Sequence, residues 1–187
     1  MENKFAQITR EMKANKLVMD AIPFVKEKNE AIDIGAGSLR DSKFLSESGF
    51  KHVIALDKNF SNINNKNSDV IELAESDIQD YKLEKKSFDL VVAINSLPFI
   101  NKKKISSTLN EILESLKEGG VICATLFGHN DEWAKTKSDT MNFYSKSEIL
   151  YILKDFDIKI FIEEEREGKT VDGNNKYWHI FRFVAVK

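Results

Sequence analysis

The residues of this chain with the most obvious chemical potential stand at the ends of apolar runs. Glu30-Ala31-Ile32-Asp33-Ile34 runs into Gly35-Ala36-Gly37-Ser38. Gly35 and Gly37 permit a sharp turn and let a ligand approach the backbone where a Cβ would otherwise stand. The run His52-Val53-Ile54-Ala55-Leu56 ends in Asp57, 20 residues beyond Gly37. A carboxylate in that place can accept both hydroxyl hydrogen bonds of a nucleoside ribose, and its charge strengthens them. Val70-Ile71-Glu72-Leu73-Ala74 is followed by Asp77-Ile78, and Phe88-Asp89-Leu90-Val91-Val92-Ala93-Ile94 by Asn95-Ser96-Leu97-Pro98-Phe99. In the second of these a polar acceptor and an aromatic ring could hold a planar amino group. Val121 to Phe127 leads into Gly128-His129-Asn130-Asp131-Glu132-Trp133, where His129 or Asp131 could orient an acceptor or take its proton and Trp133 could exclude water.

Such runs, apolar along both faces, predict strands of a parallel sheet covered by helices on either side. Ligands of open α/β sheets bind at the carboxyl ends of the strands, where these residues fall. Arg40 to Ser48 reads as a helix closed by Gly49, with Ser38 as its N-cap. Ile105, Leu109, Ile112, Leu113 and Leu116 recur at helical spacing up to the stop Lys117-Glu118-Gly119-Gly120, and Ser145 with Glu148 forms a capping box opening a helix through Leu153. Between about Phe5 and Lys28, the spacing of Leu17, Val18, Ala21, Ile22 and Val25 predicts one or two amphipathic helices, with a kink or stop at Pro23. Asp157 to Glu165 and Lys176 to Val186 predict two strands, and the short link through Gly168 and Asp172-Gly173 makes them antiparallel.

A dinucleotide fingerprint G-x-G-x-x-G would require glycine at position 40, which is Arg40. Asp33-x-Gly35-x-Gly37 instead resembles the first motif of class I S-adenosylmethionine-dependent methyltransferases, although many members carry a third glycine where this chain has Leu39. Leu116-Lys117-Glu118-Gly119-Gly120-Val121 is similar to the family's L-K-P-G-G turn, with Glu118 in place of proline. The stretch from Phe127 and Gly128 to Asp131 and Trp133 resembles small methyltransferases of the tellurite-resistance type. The resemblance implies a Rossmann-like three-layer sandwich: a seven-stranded, mostly parallel sheet ending in a C-terminal antiparallel hairpin. It implies one domain over residues 1–187, with 1–28 a helical cap and 29–187 the core. A leading helix in this family often roofs the cofactor; packing on the sheet is the other reading.

The same resemblance assigns S-adenosylmethionine to Asp33, Gly35, Ala36, Gly37, Arg40, Asp57, Lys58, Asp77, Ile78 and Asn95. Asp77 would accept from the adenine amino group, with Ile78 against the ring. Ser96, Leu97, Phe99, Phe127 and Trp133 would hold the acceptor, and His129 and Asp131 are the catalytic candidates. Ser96-Leu97-Pro98-Phe99 is also similar to the motif by which exocyclic-amine methyltransferases of DNA and RNA hold an amino group. Those enzymes normally carry a basic surface or a recognition domain, so the expected acceptor is a small molecule. A cofactor-binding module that supports a partner is a further reading, as is a nicotinamide-dependent oxidoreductase, which Arg40 disfavours.

Composition narrows the classes further. The chain has 187 residues, 42% hydrophobic and 31% charged, with a formal net charge of -2. That length suits one domain, and that charge gives no global attraction to nucleic acid or an anionic membrane. Lys102-Lys103-Lys104 and Lys85-Lys86 read as exposed helix surface, and Ser61 to Ser68 as a loop or frayed helix end. Cys123 is the single cysteine, sits in an apolar run and reads as core, which excludes an intramolecular disulfide. Three histidines and one cysteine show no ligand spacing, so no metal is expected; His179 reads as a half-buried sheet residue. No run approaches the roughly 18 apolar residues of a membrane span and the N-terminus lacks a signal-peptide core, which predicts a cytoplasmic protein with no membrane partner.

Overall fold

The computed structural model describes residues 12–60, 63 and 68–187. A sheet runs through it in the order β3-β2-β1-β4-β5-β8-β7: β1 Glu30–Ile34, β2 His52–Asp57, β3 Ile71–Glu75, β4 Phe88–Ala93, β5 Leu116–Gly128, β7 Asp157–Lys169 and β8 Asn175–Val186. The pairs β1·β2, β2·β3, β1·β4 and β4·β5 are parallel; β8 runs antiparallel to both β5 and β7. This is the expected class I methyltransferase fold, with one element the sequence did not suggest. A two-residue strand, β6 Phe143–Tyr144, pairs with the end of β5 and makes the sheet eight-stranded.

Alternation along the central strands explains the layers. Ile32 and Ile34 of β1 pack in one cluster with Leu109 and Ile112 of α3 (Ile105–Ser115) and Ile149 of α5 (Lys146–Ile152). Ala31, on the other face, packs with Leu17, Val18 and Ala21 of α1 (Lys16–Ala21) and Leu45 of α2 (Arg40–Glu47). Every residue of β4 is buried, as a strand covered on both faces must be. Cys123 lies in this core with no exposure, and burial pushes its thiol well above the ordinary range.

Several local expectations change. Ser38 is not the cap of α2: Leu39 takes the N-cap position at φ 65° with no side-chain cap bond, and the helix starts at Arg40. α1 packs on the sheet against β5 and β8, and Pro23 follows it in a short 3-10 turn, Ile22–Phe24. The remainder of the predicted N-terminal helical region, up to residue 11, lies outside the described residues, as does most of the polar patch from Ser61 to Ser68. Lys117 to Gly120, expected as a plain stop, bulge out inside β5: Leu116 pairs with Phe88, and Val121 already with Leu90. Lys117 bonds Asp89 at 2.8 Å, and Gly119 and Gly120 pair with Lys187 at 2.9 Å, so the bulge has partners of its own. The hairpin strands extend to Lys169 and back from Asn175. Among the described residues no helix is long and apolar enough to cross a membrane.

Candidate functional site

The strand order reverses between β1 and β4, and the crevice of such a sheet opens at that point. The two chain segments that leave β1 and β4 meet there. Gly35 adopts φ 81°, and a Cβ on it would stand 2.6 Å from Cβ of Ser96 and 3.4 Å from its Oγ. Only glycine gives both that backbone angle and that approach. Gly35 and Ala36 donate their N–H groups to the carbonyl of Leu56, at 2.8 and 3.1 Å, which ties the turn to the end of β2. Asp57 completes the cradle: Oδ2 accepts from the Gly37 N–H at 2.9 Å and Oδ1 from the Asn59 N–H at 3.2 Å. A carboxylate has about four acceptor sites, so these two bonds orient it and leave capacity for hydroxyl donors.

Asp33 lies beneath the turn, 3% exposed. The Ser42 hydroxyl on α2 donates to its Oδ2 at 2.6 Å. Burial, reinforced by the Asp41 charge, raises its pKa to about 7 against the opposing help of Ser42 and Arg40. Arg40 itself sits 3.4 Å from Asp41. At the end of β3, Asp77 is held by Lys58 at 2.7 Å and by both the backbone and the side chain of Gln79. Burial pulls its pKa up, but those bonds outweigh it and leave it below the usual carboxylate value. Ile78 beside it is buried in the core. Lys58 is therefore a partner of Asp77, and both stand on the rim of the β2 and β3 ends.

The exit from β4 is shaped by a second left-handed residue. Asn95 has φ 54°; its N–H donates to the Thr125 hydroxyl at 2.7 Å, and that hydroxyl donates to Asn95 Oδ1 at 3.2 Å. A 3-10 turn, Leu97–Phe99, follows, with Leu97 buried and Phe99 48% exposed. The Phe99 ring packs edge-on against Phe127 and Trp133, at 6.1 and 6.4 Å between centroids. Both of those rings in turn meet Trp178 of β8, at 5.8 and 5.5 Å. Four aromatic side chains thus form a wall running from the β4 exit to the hairpin. The sequence pattern pointed to Phe99, Phe127 and Trp133; it missed Trp178, whose place in the long last strand gave no signal.

Asp131 and His129 have different surroundings. Asp131 is fully buried and caps α4 (Glu132–Thr136) by accepting from the Trp133 N–H at 3.0 Å. It also accepts from the His179 N–H at 3.2 Å and forms an ion pair with the buried Lys176 ammonium at 2.5 Å. Lys176 Nζ lies 3.5 Å from the Trp178 ring centroid and 4.3 Å from that of Trp133. Burial pulls this lysine below its ordinary pKa, while Asp131 acts to keep it charged. Both oxygens of Asp131, a candidate to orient an acceptor or take its proton, are thus bonded to the framework of the wall. His129 is exposed and lies 3.3 Å from Glu148 of α5. Glu148 also lines an open groove with Tyr144, Ser147, Tyr151 and Ile152, and no residue of the cradle lines that groove.

Glu163, Glu165 and His179 bring potential metal-ligand atoms within 4.8 Å of one another. The histidine is oriented against that use. Its Nδ1 accepts from the Asn130 N–H at 3.1 Å, so the neutral ring carries its proton on Nε2, facing Glu163 at 3.3 Å. A metal on Nε2 would need the proton on Nδ1, pointed at another donor.

A doubly wound sheet with a glycine turn at its switch point and a C-terminal antiparallel hairpin is the class I methyltransferase fold. The sequence model of the methyltransferase domain family matches residues 32–124. Residues 32–124 thus match a methyltransferase domain, and the chain as a whole has the class I methyltransferase fold. Among solved structures, TehB from Haemophilus influenzae superposes with a TM-score of 0.75 at 19% identity, over 98% of this chain and 65% of that one. This chain thus spans just under two thirds of TehB's length. A methyltransferase from Methanosarcina mazei superposes with a TM-score of 0.65 at 20% identity, over 94% and 99% of the two chains. The 1,6-didemethyltoxoflavin N1-methyltransferase of Burkholderia thailandensis, solved with that molecule and S-adenosylhomocysteine, gives 0.68 at 14% identity, over 97% and 80%. No curated protein matches the sequence.

The residues present fit the family's cofactor, S-adenosylmethionine. Asp57 offers an oriented carboxylate at the β2 end, and Gly35, which has no Cβ, lets the Ser96 segment pack directly against the turn. Ser96 Oγ, beside that turn, is buried and has no hydrogen-bond partner among the described residues. A buried hydroxyl without a partner is costly, and a polar group entering the crevice would satisfy it.

Proposed function

We propose that this protein transfers a methyl group from S-adenosylmethionine to a small-molecule acceptor. When bound, the cofactor supplies an electrophilic methyl on a sulfonium, open to in-line attack. Gly35, Ala36 and Gly37 present backbone to its amino-acid end, and Asp57 takes the ribose hydroxyls. Asp77 with Lys58, Ile78 and Asn95 border the adenosine side; Asp33 and Arg40 hold the cradle from beneath. Ser96, Leu97, Phe99, Phe127 and Trp133 receive the acceptor and exclude water, so that positioning contributes much of the rate.

The observation that carries this reading is Ser96: it touches the cradle at Gly35 and opens the 3-10 turn that delivers Phe99 to the aromatic wall. One short segment thereby adjoins both the cofactor side and the acceptor side. A soft anionic acceptor would need no protein base. A hydroxyl acceptor would need one, and His129 is the remaining candidate, because the Asp131 carboxylate is bonded to Lys176. The exposed ring of Phe99 also suits stacking on a nucleobase.

Labelled S-adenosylmethionine added to a cell extract, fractionated into small molecules, RNA, DNA and protein, tests the reading with Asp57→Ala as control. Label in the small-molecule fraction that depends on Asp57 supports it. Label in RNA or DNA replaces it with nucleic-acid amine methylation. Cofactor binding with no label in any fraction makes the protein a supporting module.

A further inference from the structure

The 3-10 turn that carries Phe99 is held from two directions by side-chain amides. On one side stands Asn142, 5% exposed and immediately ahead of β6. Its Nδ2 donates to the carbonyl of Ile100 at 2.6 Å and to that of Pro98 at 3.3 Å, and its backbone N–H donates to Pro98 at 2.9 Å. Pro98 and Ile100 flank Phe99 in the chain, so one buried amide fixes the peptide groups on either side of the exposed ring. Lys102 adds a bond in the same direction, from its Nζ to the Ser138 carbonyl at 2.5 Å.

On the other side stands Gln79. Its Oε1 accepts from the Asn101 N–H at 3.0 Å, and its Nε2 donates to Asp77 Oδ2 at 2.8 Å. A backbone N–H needs an acceptor and an ionised carboxylate needs donors, so the two ends of this amide cannot change places. Gln79 therefore spans from the carboxylate at the β3 end to the residue that closes the Phe99 turn. A second tie between the same two segments, Lys104 to Asp80 at 3.1 Å, joins exposed charges and adds little. Asp77 itself is held by Lys58 at 2.7 Å, next in sequence to Asp57.

We propose that Gln79 is a positioning residue that couples the purine end of the cofactor site to the turn presenting Phe99, with Asn142 as the fixed anchor opposite. A cofactor that restrains Asp77 restrains Gln79 and, through it, Asn101. A turn already ordered from both sides loses less freedom when the acceptor arrives, so the acceptor binds more tightly to the loaded protein. The assignment rests on the methyl-transfer reading above and names the residue that links its two halves.

Hydrogen exchange of the whole protein, read on peptides covering residues 97–101 with and without saturating S-adenosylhomocysteine, tests it, with calorimetry of the same ligand on the same samples. Loading is expected to slow exchange in these peptides about five-fold or more, the scale of one hydrogen bond gained in order. Two variants divide the function of Gln79. Gln79→Lys can still donate to Asp77 but cannot accept from Asn101; Gln79→Glu can accept from Asn101 but sets a second negative charge against Asp77. Gln79→Lys should bind S-adenosylhomocysteine within about two-fold of the parent, which also shows that it is folded, yet lose most of the protection gained over 97–101. Gln79→Glu should weaken the ligand about ten-fold, as expected for a charge-assisted bond replaced by repulsion. Asn142→Leu should speed exchange over 97–101 with and without ligand. In the transfer assay, Gln79→Lys should raise the amount of acceptor fraction needed for half-maximal labelling and leave the maximal rate near that of the parent. Protection over 97–101 that survives Gln79→Lys overturns the proposal, as does a parent whose turn gains none on loading. A parent that fails to bind S-adenosylhomocysteine sinks the methyl-transfer reading itself, whereas normal binding with undiminished protection in both Gln79 variants removes the coupling alone.

Discussion

Asp33 makes the folding stability of this protein depend on pH in a direction opposite to that of most carboxylates. It is 3% exposed, beside the Asp41 charge, and its pKa rises from the ordinary 3.8 to about 7. In that window the folded protein holds a proton that the unfolded chain has released, so stability falls as pH rises. The favourable contribution of the protonated carboxyl is complete below 3.8 and lost above about 7. At about 1.4 kcal/mol per pH unit, the whole displacement corresponds to roughly 4 kcal/mol, of which about 3 kcal/mol falls between pH 5 and pH 8. Asp33→Asn keeps the shape, can accept the Ser42 hydroxyl bond and cannot ionise. Urea unfolding of both proteins from pH 5 to pH 9, followed by tryptophan fluorescence, should show the variant gaining about 3 kcal/mol on the parent between pH 5 and pH 8. A stability difference that is flat across this range would refute the argument, because every other titrating group cancels in the comparison.

Three further outcomes follow from single contacts. Asp57→Ala should weaken S-adenosylhomocysteine binding by about 100-fold or more in calorimetry, since a carboxylate oriented by Gly37 and Asn59 accepts charge-assisted bonds worth about 1.5–3 kcal/mol each. Gly35→Ala should lose binding and about 2 kcal/mol of stability by urea unfolding, because φ 81° disfavours a side chain and Ser96 Cβ stands 2.6 Å from where it would go. Lys176→Met should cost about 3–5 kcal/mol by leaving Asp131 buried and unpaired. Adding Asp131→Leu to that variant should recover part of the loss; a double variant no more stable than Lys176→Met would count against the ion pair as the cause.

The fold was legible because its signals are local. The five parallel strands announce themselves as apolar runs, and the capping box at Ser145 and Glu148 forms with both of its bonds in place. The C-terminal pair needed only a short link to be read as antiparallel. Errors arose where distant groups decide local structure. The bulge from Lys117 to Gly120 is held by Asp89 and by the last residue of the chain, Lys187, and neither is apparent from the sequence around the bulge. The missing third glycine is a subtler case. Leu39 stands in the left-handed region at φ 65°, at a backbone cost of roughly 1–2 kcal/mol, yet its side chain has no exposure and packs against Leu45 and Phe50 in the core. Burying a leucine returns about 1.5–3 kcal/mol, so the backbone keeps the family's turn while packing replaces the conformational freedom of glycine.

The aromatic wall was harder to read, for a related reason. Residues Phe99, Phe127 and Trp133 could be picked out because each lies at or just beyond the end of an apolar run. The groups that fix them could not: Lys176 and Asp131 are 45 positions apart, and nothing around Lys176 distinguishes it from a solvated strand lysine. The structure shows why a buried ammonium is tolerated there, with Asp131 on one side and the faces of Trp133 and Trp178 on the other. Removing the charge pair therefore has two consequences that differ in kind. Asp131 caps α4 and receives the His179 N–H, so its loss loosens the segment that carries Trp133. Lys176 sets the spacing of the rings themselves. A variant of Lys176 that retains the fold should thus alter acceptor KM more than S-adenosylhomocysteine affinity, whereas Asp57→Ala should do the reverse, and equal effects of both on cofactor binding would show that wall and cradle are not separable.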